Sequence, residues 1–279
     1  MKKVLLIIIC LLFIVGCKND ELMVNSNIED NIYCNVNINN ENEKIINKIK
    51  NEKYFICNNL EKYLSYMTLN NLSIDEIIKE VNVGLYRDYY IDMKETDISR
   101  NYAMIVNKFY YLNKDYEPND LELLSSNCNG GGNSLLRHDA RIQFENLCND
   151  AKENGLNIYS VSAYRSYSTQ ERVYNSKVSG RGIKTTDKVS ARPGNSEHQT
   201  GLTLDVNQTS SDFSKTDEYI WLKNNAYKYG FIERYPKDYT KITGYDWEPW
   251  HYRYVGVDIA TKIHEENITF DEYYAYYIE

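Results

Sequence analysis

The sequence predicts an α+β fold in which a small antiparallel sheet is flanked by helices. Segments with helical spacing and segments with alternating apolar residues mix along the 279 residues, without the regular strand–helix–strand repeat of parallel sheets. Short alternating runs at 202–207, 231–235 and 251–255 are typical of strands. A composition of 42% hydrophobic and 26% charged residues is ordinary for a folded globular chain.

The helices are predicted from spacing and from capping residues. Ile74, Ile77, Ile78 and Val81 fall on one helical face, and Ser73 followed three residues later by Glu76 forms a capping box. The same reasoning predicts further helices at 135–154, 168–178, 217–230 and 257–266. The polar stretch 180–195 predicts a loop.

The composition changes along the chain and divides it into five parts. They are a signal peptide at 1–16, a polar tether at 17–59, a small helical preface at 60–98, the main domain at 99–264 and a tyrosine-rich tail at 265–279.

The first residues are typical of an export signal. Met1 and two lysines precede an apolar stretch from Val4 to Val15, which is too short to span a membrane. It ends at Gly16-Cys17, which resembles a bacterial lipoprotein signal cleaved before a cysteine that then carries lipid. The alternative is an ordinary secretory signal with an incidental cysteine. We expect an extracytoplasmic protein, anchored by lipid at Cys17 to the outer face of the membrane.

The remaining cysteines leave two arrangements open. Six occur in the chain; Cys10 would leave with the signal and Cys17 would carry lipid. The other four are Cys34, Cys57, Cys128 and Cys148. In an oxidising compartment they allow a Cys34–Cys57 or a Cys128–Cys148 disulfide, and free buried thiols are equally compatible with the spacing. The absence of a Cys-x-x-Cys spacing disfavours a thiolate zinc site.

The net charge argues against nucleic acid as a partner, and the sequence around the glycine run argues against a phosphate-binding loop. The formal net charge is −8, and no basic run occurs, so nucleic acid is not the expected partner. The Gly130-Gly131-Gly132 run lacks the Gly-Lys-Ser/Thr that completes a phosphate-binding loop, which favours a flexible loop.

Two stretches carry residues suited to metal chemistry. His198 and Asp205 lie at the two ends of a segment in which Gly201 would allow the chain to fold back, and His251 begins a later predicted strand. Two imidazoles and a carboxylate match a catalytic zinc site, which keeps one position open for water. Glu248, three residues before His251, is then placed to act as the base.

Each of these residues also has an ordinary explanation. A surface histidine, a solvated aspartate and a glutamate in a turn are all common. Their joint occurrence in a chain with four histidines favours a metal site. The other two, His138 and His264, fall in predicted helices without ligand-type neighbours, and we interpret both as structural.

The blocks of residues around these positions resemble a known family. Ser196-x-His198-x-x-Gly201-Leu202-x-x-Asp205 and Glu248-x-Trp250-His251 are similar to motifs of the VanY-type D-alanyl-D-alanine carboxypeptidases, which are zinc peptidases. Ser162-Ala163-Tyr164-Arg165-Ser166-Tyr167 with Gln170 resembles another block of that family. A fourth block runs from Asn107-Lys108 to Pro118-x-Asp120-Leu121, so the resemblance covers roughly residues 100 to 264.

The resemblance implies a zinc site on the sheet and assigns roles to single residues. It makes His198, Asp205 and His251 the Zn²⁺ ligands and Glu248 the catalytic base and acid. Arg165 matches a catalytic and substrate-binding position, and the remaining matches to substrate contacts are Gln170, Ser196 and Trp250.

Physical chemistry supports part of this assignment and leaves alternatives. An arginine recognises a terminal carboxylate with two hydrogen bonds, or it stabilises an oxyanion. Arg165 in a structural ion pair, Trp250 in the core and Ser196 as a turn residue are the alternatives. Thr203 stands where the family usually has alanine, next to the core and outside the ligand set.

By this resemblance, the expected activity is removal of the C-terminal D-alanine from peptidoglycan stem peptides. L,D-cleavage of tetrapeptides and endopeptidase cleavage of a cross-bridge remain open within the family. A non-catalytic lipoprotein that binds cell wall is the alternative from a different class, although such a protein has no need of three ligands and a base. Its aromatic face would be formed by Tyr273, Tyr274, Tyr276 and Tyr277, unless the tail packs back on the domain.

Overall fold

The computed structural model describes residues 43–279. The predicted signal peptide, Cys17 and Cys34 lie outside the described residues. The helices are α1 Glu43–Lys50, α2 Leu60–Leu69, α3 Ile74–Asn82, α4 His138–Glu153, α5 Tyr167–Arg181, α6 Ile183–Val189, α7 Asp217–Asn225, α8 Thr240–Thr243, α9 Val257–Glu266 and α10 Phe270–Tyr277. The strands are β1 Lys94–Glu95, β2 Tyr110–Tyr111, β3 Leu121–Leu123, β4 Leu135–Arg137, β5 Ser160–Ser162, β6 Thr203–Val206, β7 Phe231–Glu233 and β8 His251–Tyr254.

A four-stranded sheet with the order β5-β6-β8-β7 is the centre of the fold. Each neighbouring pair in it is antiparallel. Strands β3 and β4 form a separate antiparallel pair, and β1 and β2 form a short parallel one. The predicted α+β class with a small antiparallel sheet is therefore confirmed.

One face of the central sheet packs against helix α4. Leu204 and Val206 of β6 have no exposed surface and share a core with Phe144 of α4 and Phe231 of β7. The rings of Phe144 and Phe231 meet edge to face, with centroids 5.8 Å apart. Burial of each such side chain stabilises the fold by about 1.5–3 kcal/mol, so this core holds β6 and β8 rigidly.

Most predicted helices are present, but the predicted loop at 180–195 is wrong. The capping box of α3 is formed, since Ser73 Oγ accepts from Glu76 N–H and the Glu76 carboxylate accepts from Ser73 N–H. Helix α9 has the predicted bounds. Helix α6, however, lies inside the predicted loop and buries Thr186. A short helix that buries one threonine leaves no apolar periodicity in the sequence.

Residues 43–59 do not behave as a polar tether. Ile46 and Ile49 of α1 are buried in a cluster with residues of α2 and α3. The ring of Tyr54 stacks on Tyr276 of α10 at a centroid distance of 3.8 Å, and its hydroxyl donates to Glu266 at 2.7 Å. The composition of this segment is polar because most of its residues are at least partly exposed, while the two isoleucines that pack inward are enough to anchor it. The tail, as helix α10, packs back on the main domain.

The described cysteines include one in a disulfide and two with free thiols. Cys57 is disulfide-bonded, whereas Cys128 and Cys148 are free and buried. The Cys128–Cys148 disulfide considered from the sequence is therefore not formed. Between residues 43 and 279, no helix is both long enough and apolar enough to cross a membrane.

Candidate active site

The three predicted metal ligands meet at the centre of the sheet. Asp205 on β6 lies directly opposite His251 on β8, and His198 lies on a short 3-10 helix that precedes β6. One ligand atom from each lies within 4.8 Å of the others, and all three residues are buried. Gly201 makes this approach possible because its φ of +67° lies in the left-handed region. The structure therefore brings together the three residues that the sequence predicts as ligands.

The orientation of His198 is fixed by the backbone. Its Nδ1 lies 2.7 Å from the carbonyl oxygen of Ala163 and donates to it, which leaves Nε2 free, 3.5 Å from Asp205 Oδ2. Burial, together with the nearby Arg165 charge, lowers the pKa of His198 to about 3. The imidazole is therefore neutral near pH 7, as a metal ligand must be.

His251 presents its other nitrogen to the same centre. Its Nδ1 lies 3.2 Å from Asp205 Oδ1 and 3.6 Å from Glu248 Oε2, while its Nε2 lies 3.7 Å from Glu197 Oε2. Burial by itself would lower the pKa of His251, but the Asp205 and Glu197 carboxylates raise it to about 9. A cation is thus favoured at this point, as a proton on the ring or as a metal ion.

The donor set fits zinc. Asp205 Oδ1, which faces the His251 imidazole, is buried without a hydrogen-bond partner, although buried polar atoms are normally paired. Burial would raise the pKa of Asp205, but His198, His251 and Arg165 around it lower the pKa to about 2, so this carboxylate is ionised. Two nitrogens and one carboxylate oxygen make the three-ligand set of a catalytic zinc site.

Glu248 borders the three ligands from the turn before β8. The turn is closed by a hydrogen bond from His251 N–H to the Glu248 carbonyl oxygen at 3.1 Å. The side chain is only 15% exposed. Burial raises the pKa of Glu248 to about 7, with a smaller opposing effect from His251. A carboxylate with this pKa accepts and returns protons efficiently near neutral pH.

Arg165 lies beside Asp205. It donates from Nη1 to Gln170 Oε1 at 2.7 Å and from Nη2 to Ser162 Oγ at 2.9 Å. Nη2 is 4.0 Å from Asp205 Oδ2, and the side chain is 20% exposed. This ion pair is at the limit of contact, so the guanidinium keeps hydrogen-bonding capacity toward the site.

Three other residues were predicted to contact the substrate, and they differ in burial and in hydrogen bonding. Gln170 is 2% exposed, and its Nε2 donates to the Ala191 carbonyl oxygen at 2.7 Å while its Oε1 accepts from Arg165. Both ends of this amide are occupied, so Gln170 holds Arg165 in position. Ser196 is buried just before the 3-10 helix of His198, and Trp250 is partly buried against the main core.

A buried charge network behind the ligands was missed by sequence reasoning. Glu197 Oε1 accepts from Arg234 Nε at 2.8 Å and from Arg253 Nη1 at 2.9 Å. Arg234 also donates from Nη1 to Asp271 at 2.6 Å. The side chains of Glu197 and both arginines have no exposed surface. The one signal in the sequence is the presence of arginines within or beside strands that are otherwise apolar, since buried charges must be paired.

This network acts on His251. Because the two arginines hold Oε1 of Glu197, its Oε2 is directed at His251 Nε2. Their charges outweigh the effect of burial and keep the pKa of Glu197 well below its usual range. A carboxylate behind a ligand histidine fixes its ring orientation and tautomer. From this arrangement we infer that Glu197 positions His251.

The remaining histidines lie apart from this centre. His138 Nδ1 lies 2.8 Å from Glu122 Oε1 at the start of α4. The ring of His264 stacks on Tyr227 with a centroid distance of 3.9 Å. Among residues 43–279, the His198, Asp205 and His251 group is the one cluster suited to a metal ion. Thr203 lies opposite Arg253 in the sheet and outside the ligand set.

Known proteins resemble this chain in sequence and in fold. The family model for VanY, D-alanyl-D-alanine carboxypeptidase, matches residues 133–257. YodJ of Bacillus subtilis, named as a carboxypeptidase, is 36% identical over 68% of this chain and 76% of its own length.

Two solved structures are also similar. The LdcB LD-carboxypeptidase is 35% identical, with a TM-score of 0.63 over 67% of this chain and 91% of its own. The vancomycin resistance D,D-pentapeptidase VanY, solved with Zn(II), is 34% identical with a TM-score of 0.53, over 61% of this chain and 97% of its own. The extent and identity of these matches establish that the chain belongs to the VanY family of D-alanyl-D-alanine carboxypeptidases.

Proposed function

We propose that this protein is a zinc-dependent carboxypeptidase that removes the C-terminal D-alanine from peptidoglycan stem peptides. The observation that carries the proposal is the buried trio of His198, Asp205 and His251, with Glu248 on its border. Membership of the VanY family and its zinc-bound relative support the metal and the class of substrate.

The three ligands and their neighbours have separate tasks. Zinc held by the trio would supply Lewis acidity, which polarises the scissile carbonyl and favours ionisation of water. Glu248 takes the proton from the attacking water and delivers it to the leaving amine of D-alanine. Arg165, with hydrogen-bonding capacity facing the site, binds the terminal carboxylate or the developing oxyanion. Glu197 keeps His251 oriented throughout.

The site is also compatible with the L,D-cleavage of tetrapeptides, because relatives with D,D- and with L,D-specificity resemble this chain to a similar degree. Cleavage of a cross-bridge by the same chemistry is a third possibility within the family. A purely binding protein is less well supported. Tyr274 and Tyr276 are buried, so the four tail tyrosines do not form an exposed aromatic face.

The activity is tested with synthetic stem peptides. The purified protein, supplied with zinc, is incubated with pentapeptide and tetrapeptide stems, and the products are identified by mass spectrometry. We expect loss of one alanine from the pentapeptide; loss from the tetrapeptide alone would favour L,D-specificity. Loss of alanine from neither would refute the carboxypeptidase proposal.

A matched variant tests the assignment of the base. Glu248→Gln keeps the shape of the side chain but removes its ability to accept a proton. We expect hydrolysis to fall by about 10²–10⁴-fold, while the zinc content measured by atomic absorption stays at the wild-type level. Activity that persists in this variant would mean that another group is the base.

The N-terminal sequence suggests where the enzyme acts. We propose that the chain is exported and anchored by lipid at Cys17 to the outer face of the membrane, next to its peptidoglycan substrate. The support is the signal-like sequence that ends in Gly16-Cys17. Cells grown with a labelled fatty acid should label the wild-type protein but not Cys17→Ser. An unlabelled wild-type protein would refute the anchor.

A further inference from the structure

A cationic groove runs along helix α5 beside the active site. It is open, has a volume of about 440 Å³, and is lined by Thr169, Arg172, Val173, Ser176 and Lys177. These residues recur at helical spacing, so they form one stripe on the exposed side of the helix. Gln170, next to Thr169 in the chain, is hydrogen-bonded to the predicted substrate-binding Arg165, so one end of the stripe adjoins the residue that holds this arginine.

The two cations of the groove have no acidic partner among residues 43–279. Arg172 Nη2 donates to Thr169 Oγ1 at 3.0 Å, which leaves most of its donors unused. Lys177 is partly buried, and its ammonium donates to the Val189 carbonyl oxygen at 3.3 Å. The chain is acidic overall and has 40 Asp and Glu residues. A partly buried lysine without a carboxylate is therefore unusual here.

The charge of the catalytic carboxylate acts on Lys177. Burial lowers the pKa of Lys177, and the Glu248 charge is the strongest of those that oppose this effect. The eight-residue step from Thr169 to Lys177 spans about 12 Å of helix axis. An extended peptide covers that distance in about three to four residues. The groove is therefore long enough for three to four residues of an extended peptide.

We propose that this groove binds a carboxylate that the stem peptide carries one to three residues before the scissile bond, with Lys177 as its partner. This inference rests on the proposed function and names the preferred substrate, a stem peptide with free acidic groups. Two such groups are available by chemistry: the α-carboxylate of a γ-linked D-glutamate and the side-chain carboxylate of a diaminopimelate. Each occurs free or as the amide, and the amide offers no charge to the ammonium. The hydroxyls of Thr169 and Ser176 line the same groove.

The test compares three pentapeptides that end in D-alanyl-D-alanine. One has both carboxylates free, one is amidated at the glutamate and one is amidated at the diaminopimelate, so that the two sources are distinguished. kcat and KM are measured for the zinc-loaded wild type, Lys177→Met and Lys177→Arg. Lys48→Met is the control, because Lys48 is exposed on α1 and its replacement changes the net charge by the same amount.

We expect the wild type to prefer the free acid over one of the amides by about three- to tenfold in kcat/KM, mainly through KM. Lys177→Met should abolish this preference, Lys177→Arg should keep it, and Lys48→Met should match the wild type. The ratio between peptides is decisive, because loss of the Lys177 charge near Glu248 changes the rate with every peptide.

Two results would overturn the inference. The first is that the wild type cleaves all three peptides equally. The second is that Lys177→Met slows all three by the same factor, in which case Lys177 acts only on Glu248. Failure to cleave any peptide is a different outcome. It would refute the proposed function itself, and the inference with it.

Discussion

Replacing Glu197 by glutamine removes the one charge that two buried arginines share. Arg234 and Arg253 both donate to Oε1 of Glu197. In the variant, Arg234 keeps Asp271 as an anionic partner, whereas Arg253 keeps backbone carbonyl oxygens alone, among them that of Met104. The –NH₂ group of the new amide also faces either the two arginines or His251, where the carboxylate oxygens of Glu197 stood.

The expected loss of stability follows from the burial of this network. Removal of one partner from a fully buried ion pair costs about 3–5 kcal/mol. The amide oxygen still accepts one hydrogen bond, so about 3 kcal/mol is expected. For a domain of this size, that corresponds to a fall in Tm of about 6–12 °C. Because Glu197 Oε2 orients His251 from 3.7 Å, we also expect zinc affinity to fall by about 10–100-fold.

The assay separates these two effects with a matched variant. Asp271→Asn removes a carboxylate from the same network, where Asp271 accepts from Arg234 at 2.6 Å, but Asp271 forms no ion pair with His251. Both variants should lower the Tm of the metal-free protein, as measured by circular dichroism. Zinc affinity, measured by competition with a chelator, should fall in Glu197→Gln and stay near the wild-type value in Asp271→Asn.

The positioning role is wrong if zinc affinity is unchanged in Glu197→Gln, or if it falls equally in Asp271→Asn. A loss of less than 1 kcal/mol in the unfolding free energy of Glu197→Gln, obtained from denaturant titration, would contradict the energetic reasoning.

Three more predictions follow from the site. Gly201→Ala should destabilise the protein by about 2 kcal/mol, because the φ is +67° and the new Cβ would lie 2.7 Å from Leu121 Cδ2; an unchanged Tm would contradict this. Zinc at 100 times its Kd should stabilise the wild type by about 2.7 kcal/mol, and Asp205→Asn should lose most of that gain in a thermal-shift titration; a full gain would mean that Asp205 is not a ligand. Because Glu248 has a pKa of about 7 and must be ionised as a base, kcat/KM should fall as pH drops below 7. A bound cation moves that midpoint lower, and a rate that is constant from about pH 5 to 8 would contradict the assignment.

Local reasoning succeeded where a few adjacent residues determine the structure. The α3 capping box requires Ser73 and Glu76 alone, and the turn at Gly201 requires one residue able to adopt a positive φ. It failed where packing over long distances decides. Helix α6 is anchored by the burial of Thr186. Helix α1 is anchored by two isoleucines that pack on helices later in the chain. Neither contact can be recognised from the residues adjacent to it in the sequence.

By itself the sequence predicted the chemical class of the site, from residue types and spacing together with the resemblance to a zinc-peptidase family. His198, Asp205, His251 and Glu248 were all predicted in this way. Tertiary structure alone decided how they meet. The antiparallel register of β6 and β8 places Asp205 opposite His251. Each imidazole meets a residue from a distant segment: His198 Nδ1 donates to the Ala163 carbonyl oxygen, and His251 Nε2 faces Glu197 Oε2. Burial then shifts the pKa values of these groups, and burial is a property of the assembled core.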